Sequence, residues 1–495
     1  MDRRQFIERS LLLGAAVTTP FSLSPGAFAA SMPADIIDLD ALALSRAIQD
    51  RQTSCAEVMD AYLTHIHRHN PVYNAIVGMP EDDLLRAQAR EADAALASGD
   101  NKGWMHGLPH AVKDLQAVAG LRFTSGSAMF AERTANQDSV LAAKLRAAGA
   151  LFIGKTNVPE FGLGSQSYNP VYGATGSAWN PALTSGGSSG GAASGLGTRM
   201  LPVADGSDMM GSLRNPGAFN NVIGFRPSVN VMSGSDSRPR ALSTSGPMGR
   251  NTADTIALLN TIAATRLSRD FNPLDLGSVK LAWFGDLDGF LAMEPGITDL
   301  CEASLRVVAE AGAEVESTLP LFTLSDLWLC WTTLRHSGRG RSSRRYYDLP
   351  ETRALLKPEL IYEIEHSLVL TAGDESNANR IRQAWYRELD RLFDQYDFLV
   401  LPTAQVFPYD KNQHWPTQIN GREMDTYHRW MEVVIPGSLG GLPVLNVPVG
   451  FDDQGRPMGM QIMGRFGDDQ RVLEFGLAYE AITDHLQQRP QLQSV

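Results

Sequence analysis

The chain has 495 residues, 43% of them hydrophobic and 20% charged, and 43 Lys and Arg against 55 Asp and Glu give a net charge of -12. That usage fits a globular protein with a large core and excludes wholesale disorder, while the acidic balance excludes nucleic acid or an anionic membrane as the main partner. Length alone allows two or three domains, but α/β enzymes of this size also fold as one body.

The amino terminus carries Arg3-Arg4-Gln5-Phe6-Ile7, an apolar run from Leu11 to Val17, and Ala27-Phe28-Ala29, a small-x-small cleavage pattern. It reads as a signal peptide over residues 1–29 that resembles the twin-arginine type, which puts the mature chain in the periplasm or outside the cell. The apolar run is shorter than the ~18 residues that span a bilayer, so no stable membrane insertion is expected.

Helical spacing of Leu44, Ala47 and Ile48 predicts a helix over 40–52, and the capping-box pattern of Ser54 and Glu57 opens a second that runs to about His69. Good helix formers predict a third over 81–98. Residues 107–114 then read as a short strand with a lysine, Lys113, inside it, followed by a helix over 139–149 and a buried strand over 150–154.

Beyond residue 267, strand-like 279–284, helix 298–310, a polar helix over 377–395 and strand 397–402 alternate. Segments 442–450 and 458–463 form a strand pair around a turn at 452–456, and a last helix covers 469–485. The arginine-rich run 335–345 reads as a solvated surface loop, with contact to an anion or a substrate carboxylate as the alternative. Cys55, Cys301 and Cys330 are odd in number and widely spaced, which predicts core thiols rather than a disulfide framework or a zinc site. With no repeat and no long linker, the pattern is that of a single α/β body over residues 36–485, with 486–495 as a tail.

Residues 186–217, GGSSGGAASGLGTRMLPVADGSDMMGSLRNPG, hold two glycine-framed serine clusters. A Gly/Ser tract alone is most often a linker, but this one passes through the apolar Met200 to Ala204 and the charged Asp205, Asp208 and Arg214. Serines framed by glycines can be presented on tight turns, and a serine nucleophile needs a base. The GxSxG pattern at Gly186 to Gly190 lacks the apolar strand that a nucleophile elbow requires. No histidine spacing suggests a metal site or a His triad, although His110 lies close enough to Lys113 to support it, and no phosphate-binding glycine motif implies a cofactor. Lys113, flanked by Ala111, Val112 and Leu115, is the lysine whose strand would carry it into or beside the core.

These motifs together resemble the amidase signature family of serine hydrolases over residues 36–485. The resemblance rests on GLPHAVKD around Lys113, GKTNVPEFG from Gly154, NPVYGATGSAWNP from Asn169 and GGSSGG from Gly186. It rests further on GSDMMGSLRNPGAFNNVIGFRPS from Gly206 and on the closing GLPVLNVPVG and GMQIMG segments. It implies a single α/β/α body around a large mixed sheet, with Ser212 as nucleophile, Ser188 as bridging serine on a cis Gly187-Ser188 peptide, and Lys113 as base. A lysine with an ordinary pKa of about 10.4 must drop by roughly 2 to 3 pH units to serve near neutrality, which burial can supply.

The resemblance assigns the oxyanion to backbone N–H groups of Met209, Met210, Gly211 and Ser212. The family's usual Asp-Thr-Gly-Gly-Ser reads Asp208-Met209-Met210-Gly211-Ser212 here, so Met210 is expected to narrow the acyl side of the pocket. Asp208 and Arg214 are expected to brace this loop, and Ser185, Ser189 and Ser207 to support it. The expected partner is a small-molecule amide, with no cofactor, metal or nucleic acid; the oligomeric state is left open, a homodimer included. Trp328, Trp331, Tyr346, Tyr427, Trp430 and Met431 are pocket candidates, with core packing as their ordinary role. The alternatives are an esterase with the same groups, a non-catalytic binding protein and an amidotransferase-like subunit.

Overall fold

Two sheets organise the chain. In this computed structural model, which describes residues 35–234, 241–265, 267–268 and 270–494, the segment Ile36–Val495 is one compact unit. The expected signal peptide lies outside the described residues.

The smaller sheet consists of β1 (Ile76–Val77), β2 (Pro109–Lys113) and β3 (Leu151–Thr156), with β3 central, antiparallel to β1 and parallel to β2. Strand β2 is buried along its whole length, as expected of a parallel strand covered on both sides. Around this sheet pack α1 (Ala41–Gln49), α2 (Cys55–Tyr73), α3 (Asp82–Ala97) and α4 (Val140–Ala147), whose buried faces join one hydrophobic cluster. Three of these four starts follow the capping chemistry: Asp40 accepts from Ala43 N, Ser54 and Glu57 complete a reciprocal box, and Ser139 accepts from Ala142 N.

The larger sheet has eight strands. In chain order these are β4 (Val203–Asp208), β5 (Ile223–Arg226), β6 (Thr244–Gly249), β7 (Lys280–Trp283), β8 (Glu314–Ser317), β9 (Phe398–Pro402), β10 (Val444–Phe451) and β11 (Pro457–Met463). They lie in the order β8-β7-β9-β11-β10-β5-β6-β4, parallel from β8 to β9 and antiparallel from β9 to β4. The sheet is therefore mixed, and β10 and β11 are the hairpin read from the sequence. The longer helices that accompany these strands are α5 (Gly190–Gly197), α6 (Arg214–Asn220), α7 (Thr252–Ile262), α8 (Ile297–Glu310), α9 (Leu324–Arg335), α10 (Arg341–Tyr347), α11 (Pro358–Val369), α12 (Ala372–Phe393) and α13 (Asp469–Ile482).

Two expectations change. The polar helix begins earlier than residue 377, because Thr371 and Asp374 form a capping box in which Asp takes the usual Glu position. The run 335–345 is not a solvated loop: it spans the end of α9, a π-helical turn His336–Gly340 and the start of α10, with Arg335, His336 and Gly340 buried. What keeps this run folded lies far away in the chain, chiefly Glu363 and Tyr427. The three cysteines are free and buried, as expected.

Candidate active site

The last residue of β2 carries the lysine inward. Lys113 is enclosed, and its Nζ donates to Ser189 Oγ at 2.7 Å, Ser188 Oγ at 2.8 Å, Ser207 Oγ at 3.0 Å and the Ser207 carbonyl at 3.4 Å. Among the described residues no carboxylate touches the amine. Burial pulls its pKa from 10.5 down to about 7, opposed by the charges of Asp205 and Asp208.

Two of these serines come from the turn into α5. Ser188 is only 3% exposed and follows a cis Gly187-Ser188 peptide, as the family resemblance implies. The turn is held from outside: Ser165 Oγ donates to the Gly187 carbonyl at 2.6 Å, Gly187 N donates to Ser165 Oγ at 3.2 Å, and Gly190 N donates to Ser167 Oγ at 3.1 Å. A loop rather than a strand leads into Ser188, consistent with the absence of a nucleophile elbow.

Strand β4 and the loop after it supply the rest. Asp205, fully buried, accepts from His110 Nε2 at 3.0 Å and from the Lys113 backbone N at 3.3 Å, tying β4 to β2. Sequence reasoning noted the charge of Asp205 but gave it no task; a carboxylate inside a segment apolar enough to be buried was the available signal. His110 thus supports the lysine strand through Asp205.

Asp208 organises the loop that presents Ser212. It accepts from Gly211 N at 2.9 Å and Leu213 N at 3.2 Å, and Arg214 grips it with Nε and Nη2, each at 3.0 Å. Arg214 also reaches Gln461 Oε1 at 2.7 Å and Ser438 Oγ at 2.7 Å, which anchors the loop to the β11 side of the sheet. Burial alone would raise the Asp208 pKa, but the Arg214 charge and these bonds outweigh it and bring it from 3.8 to about 2. The bracing roles expected of Asp208 and Arg214 match this geometry.

Ser212 is 7% exposed, and its carbonyl accepts from Ser189 N at 3.3 Å, which joins the two serine turns. Gly211 sits at φ 80°, and a Cβ there would lie 2.3 Å from Asn215 Oδ1, so only glycine fits beside the serine. Two expectations for this loop are corrected. The Gly211 N–H is engaged by Asp208, leaving the backbone N–H groups of Met209, Met210 and Ser212 as the candidate oxyanion donors. Met210 does not line the pocket: it stays out of the left-handed backbone region and packs in the main core, 4% exposed. Met209 is partly buried against the same core, and its Sδ meets the buried Arg335 Nη1 at 3.1 Å.

Arg335 belongs to a cluster that the sequence did not reveal. Its Nε donates to Glu363 Oε1 at 2.6 Å and its Nη2 to the Tyr427 hydroxyl at 2.7 Å; the Tyr427 hydroxyl in turn donates to Glu363. His336 Nδ1 lies 2.8 Å from Glu363 Oε2. Burial would raise the Glu363 carboxyl, but the Arg335 charge and the His336 hydrogen bond hold it well below the usual range, while burial drops His428 to about 3 and leaves it neutral. Of the six pocket candidates, Trp331, Tyr427, Trp430 and Met431 are core residues and Trp328 is half-buried under Arg429, whose Cζ is 3.6 Å from its ring. Tyr346 alone joins the rim, stacked on Phe161 at 6.0 Å between ring centroids.

A buried amine whose hydrogen bonds among the described residues run to serine oxygens, beside a serine on a glycine-held turn, is suited to moving a proton to and from an attacking hydroxyl. Among the described residues no group of His, Cys, Asp and Glu is arranged to hold a metal, and no helix is long and apolar enough to cross a membrane.

The sequence profile of the amidase family matches residues 57–473. The chain belongs to the amidase signature family. Members of this family act on carbon–nitrogen bonds. The chain is 30% identical over 485 residues to the A subunit of glutamyl-tRNA(Gln) amidotransferase from Thermosynechococcus vestitus (strain NIES-2133 / IAM M-273 / BP-1), covering 91% of this chain and 99% of that protein. It is 29% identical over 467 residues to an acylamidase of Rhodococcus erythropolis, covering 91% and 97% respectively. The crystal structure of a bacterial aryl acylamidase of the same family superposes with a TM-score of 0.82 at 26% identity, covering 91% of this chain and 99% of that one.

Proposed function

We propose that this amidase signature protein hydrolyses a carboxylic amide to a carboxylate and ammonia or an amine through an acyl-enzyme on Ser212. Neutral Lys113 takes a proton from Ser188, Ser188 takes one from Ser212 as its Oγ attacks the carbonyl carbon, and the same relay protonates the departing nitrogen. The C–N bond breaks, and water then repeats the sequence to release the acid. Backbone N–H groups of Met209, Met210 and Ser212 receive the developing oxyanion.

The observation that carries this reading is the 2.8 Å contact of Lys113 Nζ with Ser188 Oγ in surroundings that bring the lysine to about 7. The likeness to an acylamidase and to an aryl acylamidase supports a self-sufficient amidase. Full-length similarity to amidotransferase A subunits favours a second reading, in which the chain releases ammonia for a partner. The purified chain, assayed alone on aryl and aliphatic amides and on glutamine, separates the two: turnover of amides without a partner supports the first, and activity restricted to a complex supports the second. Matched ester and amide pairs decide between amidase and esterase. We further propose export through the Arg3-Arg4 segment, which cell fractionation checks.

A further inference from the structure

Among the described residues, Arg339 is a cation at the rim of this site that no carboxylate contacts as an ion pair. Its Nη2 donates to the Phe161 carbonyl at 2.8 Å and its Cζ lies 5.5 Å from the Phe161 ring, yet its Nε is buried with no hydrogen-bond partner among those residues. The carboxylate of this neighbourhood, Glu363, is already taken by Arg335, His336 and the Tyr427 hydroxyl. Burial and the nearby Arg335 charge press Arg339 below the ordinary guanidinium value, against the opposing charge of Glu363.

Its position ties it to the reacting groups from two sides. Phe161 is followed by Gly162, where a Cβ would lie 3.5 Å from Ser188 Oγ. One turn before Arg339, Arg335 touches Met209, three residues before Ser212. The π-helical turn His336–Gly340 carries Arg339 between these two walls. The aromatic wall is itself flanked by guanidinium groups, with Tyr346 stacked on Phe161 and Arg345 Cζ 4.7 Å from the Tyr346 ring.

Leaving a half-buried guanidinium with a single carbonyl partner and no carboxylate in contact is unfavourable unless an anion completes it, and a planar fork matches a carboxylate. In a chain of net charge -12, a local surplus of arginine at the site is also what an anionic substrate would need to approach. We propose that Arg339 binds a carboxylate of the substrate, so that the amide hydrolysed carries a free carboxylate beside an apolar or aromatic portion that rests on Phe161. This rests on the amidase reading above and narrows its substrate class.

The test uses two matched pairs of amides: the para-nitroanilides of glutaric and pentanoic acid, and the butyryl amides of para-aminobenzoate and para-toluidine. The wild-type chain is expected to prefer the carboxylated member of one pair by about 10- to 100-fold in kcat/KM, carried by KM. Arg339→Gln should collapse that ratio, and Arg339→Lys should keep part of it. A purely structural role, holding the Phe161 loop, would lower turnover of both members and keep their ratio. Calorimetric binding to the Ser212→Ala protein, with and without Arg339→Gln, reads the same preference when no bond is broken. A ratio near one for the wild type in both pairs, or a preference unchanged by Arg339→Gln in both assays, overturns the carboxylate proposal. Carboxylate-selective binding with no turnover of any amide would instead overturn the amidase reading.

Discussion

Lys113 and Arg335 are both cations buried near one site, and their neighbours drive them in opposite directions. Lys113 is set among the hydroxyls of Ser188, Ser189 and Ser207, and burial takes it down to about 7; Arg335 shares Glu363 and Tyr427 and is held above the usual guanidinium value against the same desolvation. Burial alone therefore does not set the charge state. What separates these two is that Glu363 contacts Arg335 directly while no carboxylate among the described residues contacts Lys113. Asp205 and Asp208 stand close enough to oppose the shift of Lys113, but Asp205 is occupied by His110 and the β2 backbone and Asp208 by Arg214 and its own loop.

The contrast can be broken at its ends. Replacing the base or the nucleophile has the largest expected effect: Lys113→Ala and Ser212→Ala should each lower amide turnover by about 1,000-fold or more while the protein stays folded, read by steady-state assay beside circular dichroism. Next comes Glu363→Ala, which leaves Arg335 buried without its partner and should cost about 3 to 5 kcal/mol of stability in denaturant unfolding. Ser188→Ala removes the relay but leaves both ends, and a loss of about 100-fold is expected, visible in the rate of acylation by a para-nitroanilide. The smallest effect sharpens the comparison: Asp205→Asn removes a charge that raises Lys113, so the acid limb of the kcat/KM profile should move to lower pH by less than about one unit.

The sequence was informative where the chemistry is local. Lys113 stands out because apolar neighbours surround it on a short strand, and the capping box of Ser54 and Glu57 marks a helix start that the structure keeps. The tract stands apart from a linker because it alternates glycine, apolar and charged residues, and the family resemblance then points to Ser188 and Ser212 within it. Reading failed where distant residues decide. Arg335 looked solvated because Glu363 and Tyr427, which bury it, lie 28 and 92 residues further along. Met210 looked like a pocket residue because its neighbours in sequence are catalytic, whereas its side chain follows the core. The task of Asp205 depends on β2 and β4 lying side by side, which no local pattern states.

The pH dependence of kcat/KM for a neutral amide tests the central claim, that burial with no carboxylate in contact makes Lys113 a neutral base. A rate that rises with pH as Lys113 loses its proton, with a midpoint at about 7 and a plateau above it, is the result predicted by its lowered pKa. A rise centred near the ordinary lysine value of about 10.4, or a profile without an acid limb, would contradict it.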